Sequence, residues 1–354
     1  MRSSEADPKK FGANAMPALP TCSVVIPSYN GRALLERCLA SVSRHRPPGI
    51  EVIVVDDGSK DGTVDWLARN YPEVRAVALK INGGFCAAAN AGLSAARAPF
   101  IQLLNNDTEV SAGWIEAGLA PFSDPSVGSV APLVLVRSDP NRVDSAGDEY
   151  ALVGWPTKRG HGQDAARWRD RPAEEVFGAS GSSAFYRAEA LKRVGGYDPE
   201  FGSYYEDIDL AFRLRWGGYR CIFAPDCRIL HDVSASYEHS KPELQRRMAR
   251  NAEIVFWSNL PLRVLVGALG PHLAFLGIQG CWRLVRGRLH PFALGKLDAV
   301  RAWSRLSAKR RIRRDLAKSA IAPPRFPLHW GTLTDVGNHL TRPRETSSKR
   351  RRSR

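Results

Sequence analysis

From Thr21 onward the chain repeats one pattern, strand then turn then helix, and this alternation restricts the available folds more than any other feature. The apolar run SVVI at 23–26 precedes an amphipathic stretch carrying Leu34, Leu35, Cys38, Leu39 and Val42, which leads into EVIVVD at 51–56. A helix opened by Asp61 and Thr63, an apolar strand at 74–79, a small-residue helix at 85–97 and a strand at 100–104 continue the series. Short apolar runs interleaved with helical periodicity predict an α/β fold, a Rossmann-like, mostly parallel sheet flanked by helices. In open sheets of this kind ligands sit beyond the carboxyl ends of the strands. Pro27-Ser28-Tyr29-Asn30, Asp56-Asp57, Asn82-Gly83-Gly84 and Asn105-Asn106-Asp107 all fall there, so four loops are expected to converge on one crevice.

After Thr108 the pattern loosens. A helix at 112–122 and a strand at 130–136 are followed by a polar stretch at 137–175, read as a long loop with short strands that shapes a substrate pocket. Regular structure returns with helices at 188–194 and 206–216, and a strand at 219–224 leads on to His231.

The charge is uneven along the chain. Residues 241–354 hold 25 Lys+Arg against 6 Asp+Glu, a net of +19, so a total of +15 leaves −4 for residues 1–240. A near-neutral segment joined to a basic tail predicts a tail that meets an anionic surface. Residues 264–282 carry no Asp, Glu, Lys or Arg, a run long enough to cross a bilayer. Gly267, Gly270, Pro271, His272, Gln279 and Gly280 weaken a straight lipid-exposed helix there, which favours an interfacial or re-entrant element flanked by Arg263, Arg283, Arg286 and Arg288. Residues 1–20 read as a flexible leader without an apolar signal core, and residues 331–354 as a disordered basic tail. The six cysteines form no CxxC pair, consistent with reduced thiols in a cytoplasmic compartment.

Several polar residues carry two readings each. Asp57, at a strand end before Gly58-Ser59, suits acceptance of a hydrogen bond from a nucleobase N–H such as uracil N3–H; it equally suits a turn that caps the next helix. Asn105-Asn106-Asp107 follows an apolar strand, where a carboxylate can hold Mg²⁺ or Mn²⁺ shared with substrate phosphates, or form an Asx turn. Glu206 and Asp207 open a helix, as a general base would or as plain N-terminal capping would. His231 is a metal ligand or merely a satisfied polar side chain.

Taken in order, SVVIPSYNG, VIVVDDGSKDGT, NGGFCAAANAGL, FIQLLNNDTEV, GGYDPEFGSYYEDIDLAFRLRWGG and His231 resemble the family 2 glycosyltransferases with a GT-A fold, and within them the rhamnosyltransferase-like branch. The resemblance covers 21–240 and implies that Pro27, Tyr29 and Asn30 line a nucleoside pocket, Asp57 meets the base, and Asn82 with Gly83 approaches the nucleotide. It further implies that Asp107 binds Mg²⁺ or Mn²⁺ together with His231, that Asn105 lies beside the nucleotide sugar, and that Asp207 is the catalytic base. Asn105 departs from the pattern, since many relatives carry Asp there. The implied reaction is inverting, metal-dependent transfer of a sugar from a nucleoside-diphosphate sugar to a hydroxyl of a glycan or polyprenyl-linked acceptor, in cell-envelope polysaccharide synthesis. The segment 241–330 is then a helical, membrane-apposed extension, and the enzyme sits on the anionic inner face of the cell membrane.

Three rivals are weaker. A dinucleotide-dependent oxidoreductase needs G-x-G-x-x-G where this chain has IPSYNG, and a sugar nucleotidyltransferase needs a Gly-rich, Lys-bearing phosphate loop after the first strand. A non-catalytic scaffold could use the basic tail, but nucleic acid is not the expected partner: its uncharged run suits lipid better than a nucleic acid, which calls for basic residues interleaved with stacking aromatics.

Overall fold

A computed structural model describes residues 19–233 and 241–330 of the chain. Most of the expected leader and the whole expected tail therefore lie outside the described residues. The opening alternation is present as β1 (Cys22–Ser28), α1 (Arg32–His45), β2 (Ile50–Asp56), α2 (Thr63–Asn70), β3 (Arg75–Ala78), α3 (Phe85–Ala95) and β4 (Phe100–Leu104). Strands β3-β2-β1-β4 lie side by side and parallel, with Ser28 opposite Asp56 and Val25 opposite Leu103. All seven residues of β1 are buried, as a central strand covered on both faces requires.

The period of two along β1 and β2 divides the core. Val24, Ile26, Val52 and Val54 pack on one face with Leu35, Leu39 and Trp114, whereas Val25, Ile53 and Val55 pack on the other with Ala88, Ala89 and Tyr186. Each such Val or Ile contributes about 1.5–3 kcal/mol by leaving water, an upper estimate because an unfolded chain already buries some apolar surface. The expected strand at 74–79 is shorter, and three of its four residues are exposed because it forms the edge.

The chain continues through β5 (Thr108–Val110), α4 (Trp114–Leu119), β6 (Val127–Val136), β7 (Asp139–Ser145), β8 (Asp148–Ala151), β9 (Trp155–Lys158), α5 (Ala166–Arg169), β10 (Glu174–Val176), β11 (Ser183–Arg187), α6 (Ala188–Val194), α7 (Glu206–Trp216) and β12 (Arg220–His231). Strand β11 enters the sheet antiparallel between β4 and β6, and β6 runs parallel to β12. The polar stretch at 137–175 holds short strands between its loops, as expected: β7 pairs with β6, and β8 pairs with β9 in a second, small sheet. Its polarity hid buried positions such as Val143, Ala146 and Tyr150.

Four helices follow: α8 (Pro242–Asn259), α9 (Leu262–Val285), α10 (Leu289–Arg301) and α11 (Trp303–Lys318), and then β13 (Leu328–His329), which joins β8. Helices α8 and α11 share the core that holds the sheet, because Ile254, Val255 and Phe256 of α8 and Leu306 and Leu316 of α11 belong to the same apolar cluster as Val25 and Ile53. The glycines and Pro271 do not interrupt α9, which forms one helix of 24 residues. A proline inside a helix removes a single amide donor, which leaves the remaining turns able to hold the segment.

Candidate functional site

The carboxyl ends of β1, β2 and β4 meet, and short hydrogen bonds stitch their loops together. Asp57 donates its amide to the Ser28 carbonyl at 2.9 Å, while Asn106 Nδ2 donates to Ser28 Oγ at 3.0 Å. Gly31 allows this contact, since a Cβ there would stand 2.5 Å from Asn106 Nδ2. Asp57 Oδ1 and Oδ2 accept from the amides of Gly83 and Gly84 at 2.8 and 2.9 Å, which pins the 82–84 loop against β2. Gly58, at φ +72°, passes so close to Ile81 and Asn82 that a side chain would collide with their backbone.

The predicted nucleotide residues surround this junction. Pro27 is buried in β1, whereas Tyr29 and Asn30 stand exposed above it. Asn30 sits at φ 47° and accepts from the Lys60 amide through Oδ1 at 2.8 Å, an arrangement Asn tolerates better than most residues. Asn82 and Gly83 are exposed on the neighbouring loop. Asp57 is both turn-former and potential base reader: each of its oxygens holds one backbone amide and keeps a second lone pair.

Asp207 is tied to the same strand-end loops through a single turn. The Asn105 amide donates to the Ser182 carbonyl at 3.0 Å, and the neighbouring Gly181 amide donates to Asp207 Oδ2 at 2.9 Å. Asp207 Oδ1 accepts the Ile208 amide at 2.8 Å. Burial raises the pKa values of both Asp207 and Glu206, more strongly for Glu206. Glu206 is 7% exposed, and its Oε2 has no hydrogen-bond partner among the described residues. Two amide donors and the nearby Lys158 cation oppose the shift of Asp207, so of the adjacent pair Asp207 is the one more readily ionised.

The backbone just before these residues is strained and braced from outside the α/β pattern. Tyr204 and Tyr205 have φ of 67° and 71°, conformations rare for side chains of their size. Asn251 of α8, fully buried, donates to the carbonyls of Phe201, Ser203 and Tyr204 at 3.0, 3.1 and 2.8 Å. Arg247 adds a bond to Ser203 Oγ at 2.8 Å. The extension thereby holds the turn that presents Asp207. Neither residue carried a sequence signal, because a polar residue in a helix far along the chain does not reveal its partner.

Asp107 and His231 are brought together by the pairing of β5 with β12, which sets His231 opposite Thr108. His231 Nε2 lies 3.4 Å from Asp107 Oδ1, and both side chains are buried. Burial alone would lower the His231 pKa, but its bonds to Asp107 and Asp144 outweigh that and raise it to about 9. A carboxylate and an imidazole nitrogen this close, just past the end of β4 and at the end of β12, fit a divalent cation whose remaining positions a diphosphate and water would fill. No group of three or more His, Cys, Asp or Glu suited to a metal occurs among the described residues, so the protein would supply a sparse shell.

The model of the family "Glycosyl transferase family 2" matches residues 23–195. The N-acetylglucosaminyl-diphospho-decaprenol L-rhamnosyltransferase of Mycobacterium tuberculosis is 31% identical over 238 residues, covering 60% of this chain and 76% of that protein. The pre-mycofactocin glycosyltransferase of the same organism is 30% identical over 211 residues, covering 59% of this chain and 42% of that protein. Among solved structures, GalNAc-T7 with UDP, GalNAc and Mn²⁺ superposes with a TM-score of 0.54 at 20% identity, over 69% of this chain and 49% of that one. The mannosyltransferase PcManGT from Pyrobaculum calidifontis, in complex with GDP-Man and Mn²⁺, gives 0.50 at 20% identity over 88% and 89%.

Proposed function

Because the chain belongs to the family 2 glycosyltransferases and has their GT-A fold, we propose that it is an inverting, metal-dependent enzyme that moves a sugar from a nucleoside diphosphate to a hydroxyl of a glycan or polyprenyl-linked acceptor. The observation that carries this reading is the Asn105–Ser182 and Gly181–Asp207 connection, which sets a half-buried carboxylate beside the loop that bears Asp107. Asp207 takes the proton from the acceptor hydroxyl as its oxygen attacks the anomeric carbon. The bond from that carbon to the diphosphate oxygen breaks on the opposite face, and its electron pair leaves with the diphosphate. Tyr29, Asn30, Asp57, Asn82 and Gly83 hold the nucleoside end of the donor.

Asp107 and His231 are the residues that would hold Mg²⁺ or Mn²⁺. When bound, the cation supplies Lewis-acid stabilisation of the departing diphosphate. Asp107→Ala is expected to weaken Mn²⁺-dependent nucleotide binding by at least tenfold in a calorimetric titration with UDP, GDP and dTDP sugars. An unchanged metal titration would remove Asp107 from the site. The same titration identifies the donor nucleotide.

The acceptor reading draws on the rhamnosyltransferase relative, whose name gives a decaprenol-linked substrate. Polysaccharide synthesis at the inner face of the cell membrane follows from such an acceptor. Helix α9 supports it: it is the one described helix long and apolar enough to cross a membrane, and only 22% of its most apolar window is buried. Leu262, Val266, Leu273 and Val285 are exposed, with Arg263, Arg283, Arg286 and Arg288 at the ends of the apolar run. We read α9 as lying in the headgroup region, its arginines on anionic lipid at about 1 kcal/mol each. Cosedimentation with phosphatidylglycerol vesicles is expected, weakening as salt rises and weaker still with phosphatidylcholine. Tight oligonucleotide binding without vesicle affinity would refute this.

A further inference from the structure

The stretch at 137–175 delivers one carboxylate that the reaction above does not use. Asp144, fully buried on β7, accepts from Lys158 Nζ through both oxygens at 2.9 Å and faces His231 Nδ1 through Oδ2 at 2.9 Å. His161 Nδ1 lies 2.9 Å from its backbone carbonyl, which closes the far side. The neighbouring strands account for the encounter: β7 pairs with β6, and β6 sets Val136 opposite His231 of β12.

We propose that Asp144 is a positioning residue for the cation site: it keeps the His231 proton on Nδ1 and so turns the Nε2 lone pair, beside Asp107, toward a divalent ion. The inference rests on the metal reading above. An ionised carboxylate has lone pairs and no proton, so the hydrogen in the Asp144–His231 contact belongs to Nδ1. A cation entering beside Asp107 takes the place of the Nε2 proton, and with the other proton held on Nδ1, Nε2 is the nitrogen able to bind metal. Lys158 donates to both Asp144 oxygens and fixes the carboxylate against Nδ1, and burial prevents the imidazole from rotating away. A plain buried Lys–Asp pair would need no histidine. Here the second ring nitrogen is aimed at a second carboxylate, which is the geometry of a carboxylate–histidine–metal arrangement.

Asn at 144 reverses the polarity of the contact. Its carbonyl oxygen would accept from Lys158 and its NH₂ would donate to Nδ1, which moves the ring proton to Nε2 and points N–H at the cation position. Mn²⁺ binding to the full chain, followed by electron paramagnetic resonance with Mn²⁺ alone, separates the cases. Asp144→Asn is expected to weaken Mn²⁺ binding about 10- to 100-fold, and Lys158→Gln, which leaves the Asp144–His231 contact in place, less than that. Wild-type affinity in Asp144→Asn, with Asp107→Ala and His231→Ala both weakened, overturns the positioning role and leaves the metal reading standing. Unchanged affinity in all three variants overturns both. Should Asp144→Asn fail to fold, ¹⁵N spectra of wild-type His231 decide the matter: Nδ1 is expected to stay protonated while Nε2 shifts on adding Cd²⁺. Ligation through Nδ1 would overturn the proposal.

Discussion

Asp207→Asn is expected to lower the turnover number by about 10²- to 10⁴-fold, the range general-base catalysis supplies, while leaving the dissociation constant of the sugar nucleotide nearly unchanged. The amide keeps the size of the carboxylate and can still accept the Gly181 N–H, so the turn that joins Asn105 to α7 survives. The basic lone pair is lost, and with it the acceptor for the Ile208 amide, a bond made within the first turn of α7 itself. Single-turnover transfer measured beside donor titration separates the two effects, and wild-type rates in the variant would end the base assignment. Burial raises the Asp207 pKa, so activity should fall on the acid side at a higher pH than an ordinary carboxylate would give. Above that value the carboxylate is ionised and the rate should level off.

Arg313→Met is expected to cost about 3–5 kcal/mol of stability, the usual result of removing one partner of a buried ion pair. Arg313 of α11 reaches Asp209 Oδ1 at 2.5 Å and Asn259 Oδ1 at 2.9 Å, and Asp209 is fully buried. Arg213 bonds the other Asp209 oxygen at 2.7 Å, so the variant leaves a partly paired carboxylate inside the core. Burial opposes ionisation of Asp209, yet Arg313 and Arg213 together hold its pKa well below the usual carboxylate range. A depressed pKa stabilises the folded state above the unfolded value, about 3.9, and that contribution fades as pH falls through the folded value. The gap between wild type and variant in urea unfolding should therefore be full near neutral pH and narrow in acid. A constant gap across that range would show that packing, not charge, dominates at Arg313.

Arg313 and Asn251 make the same point about the last helices. Composition marks residues 241–330 as basic and apolar, which suggests an appendage for a surface. Side-chain geometry makes them part of the catalytic unit as well: α8 braces the strained turn at Tyr204 and Tyr205, and α11 neutralises Asp209, one helical half-turn from Asp207. Such contacts span 47 and 104 residues of sequence, and no local periodicity encodes them.

The same division holds at the crevice. The βα pattern and the strand-end loops at Asp57, Asn82 and Asn105 were readable because apolar period and turn chemistry are local. Asp207 could be located at a helix start but not told from a cap, and the choice between Asp207 and Glu206 as the ionised member depends on which carboxylate meets amide donors. Asp144 was invisible: an acid in a polar stretch looks solvated until β6 is seen to pair with both β7 and β12.

Sequence alone determined the class of sheet, the order of strands and helices over residues 21–104, and the ends at which ligands are expected to gather, since hydrophobic period and turn residues act over a few positions. Tertiary structure decided which carboxylate ionises more readily, which histidine nitrogen faces Asp107 and how far the last helices reach into the core. Protonation, tautomer and packing depend on burial and on partners brought from distant segments, and these exist only once the chain has folded.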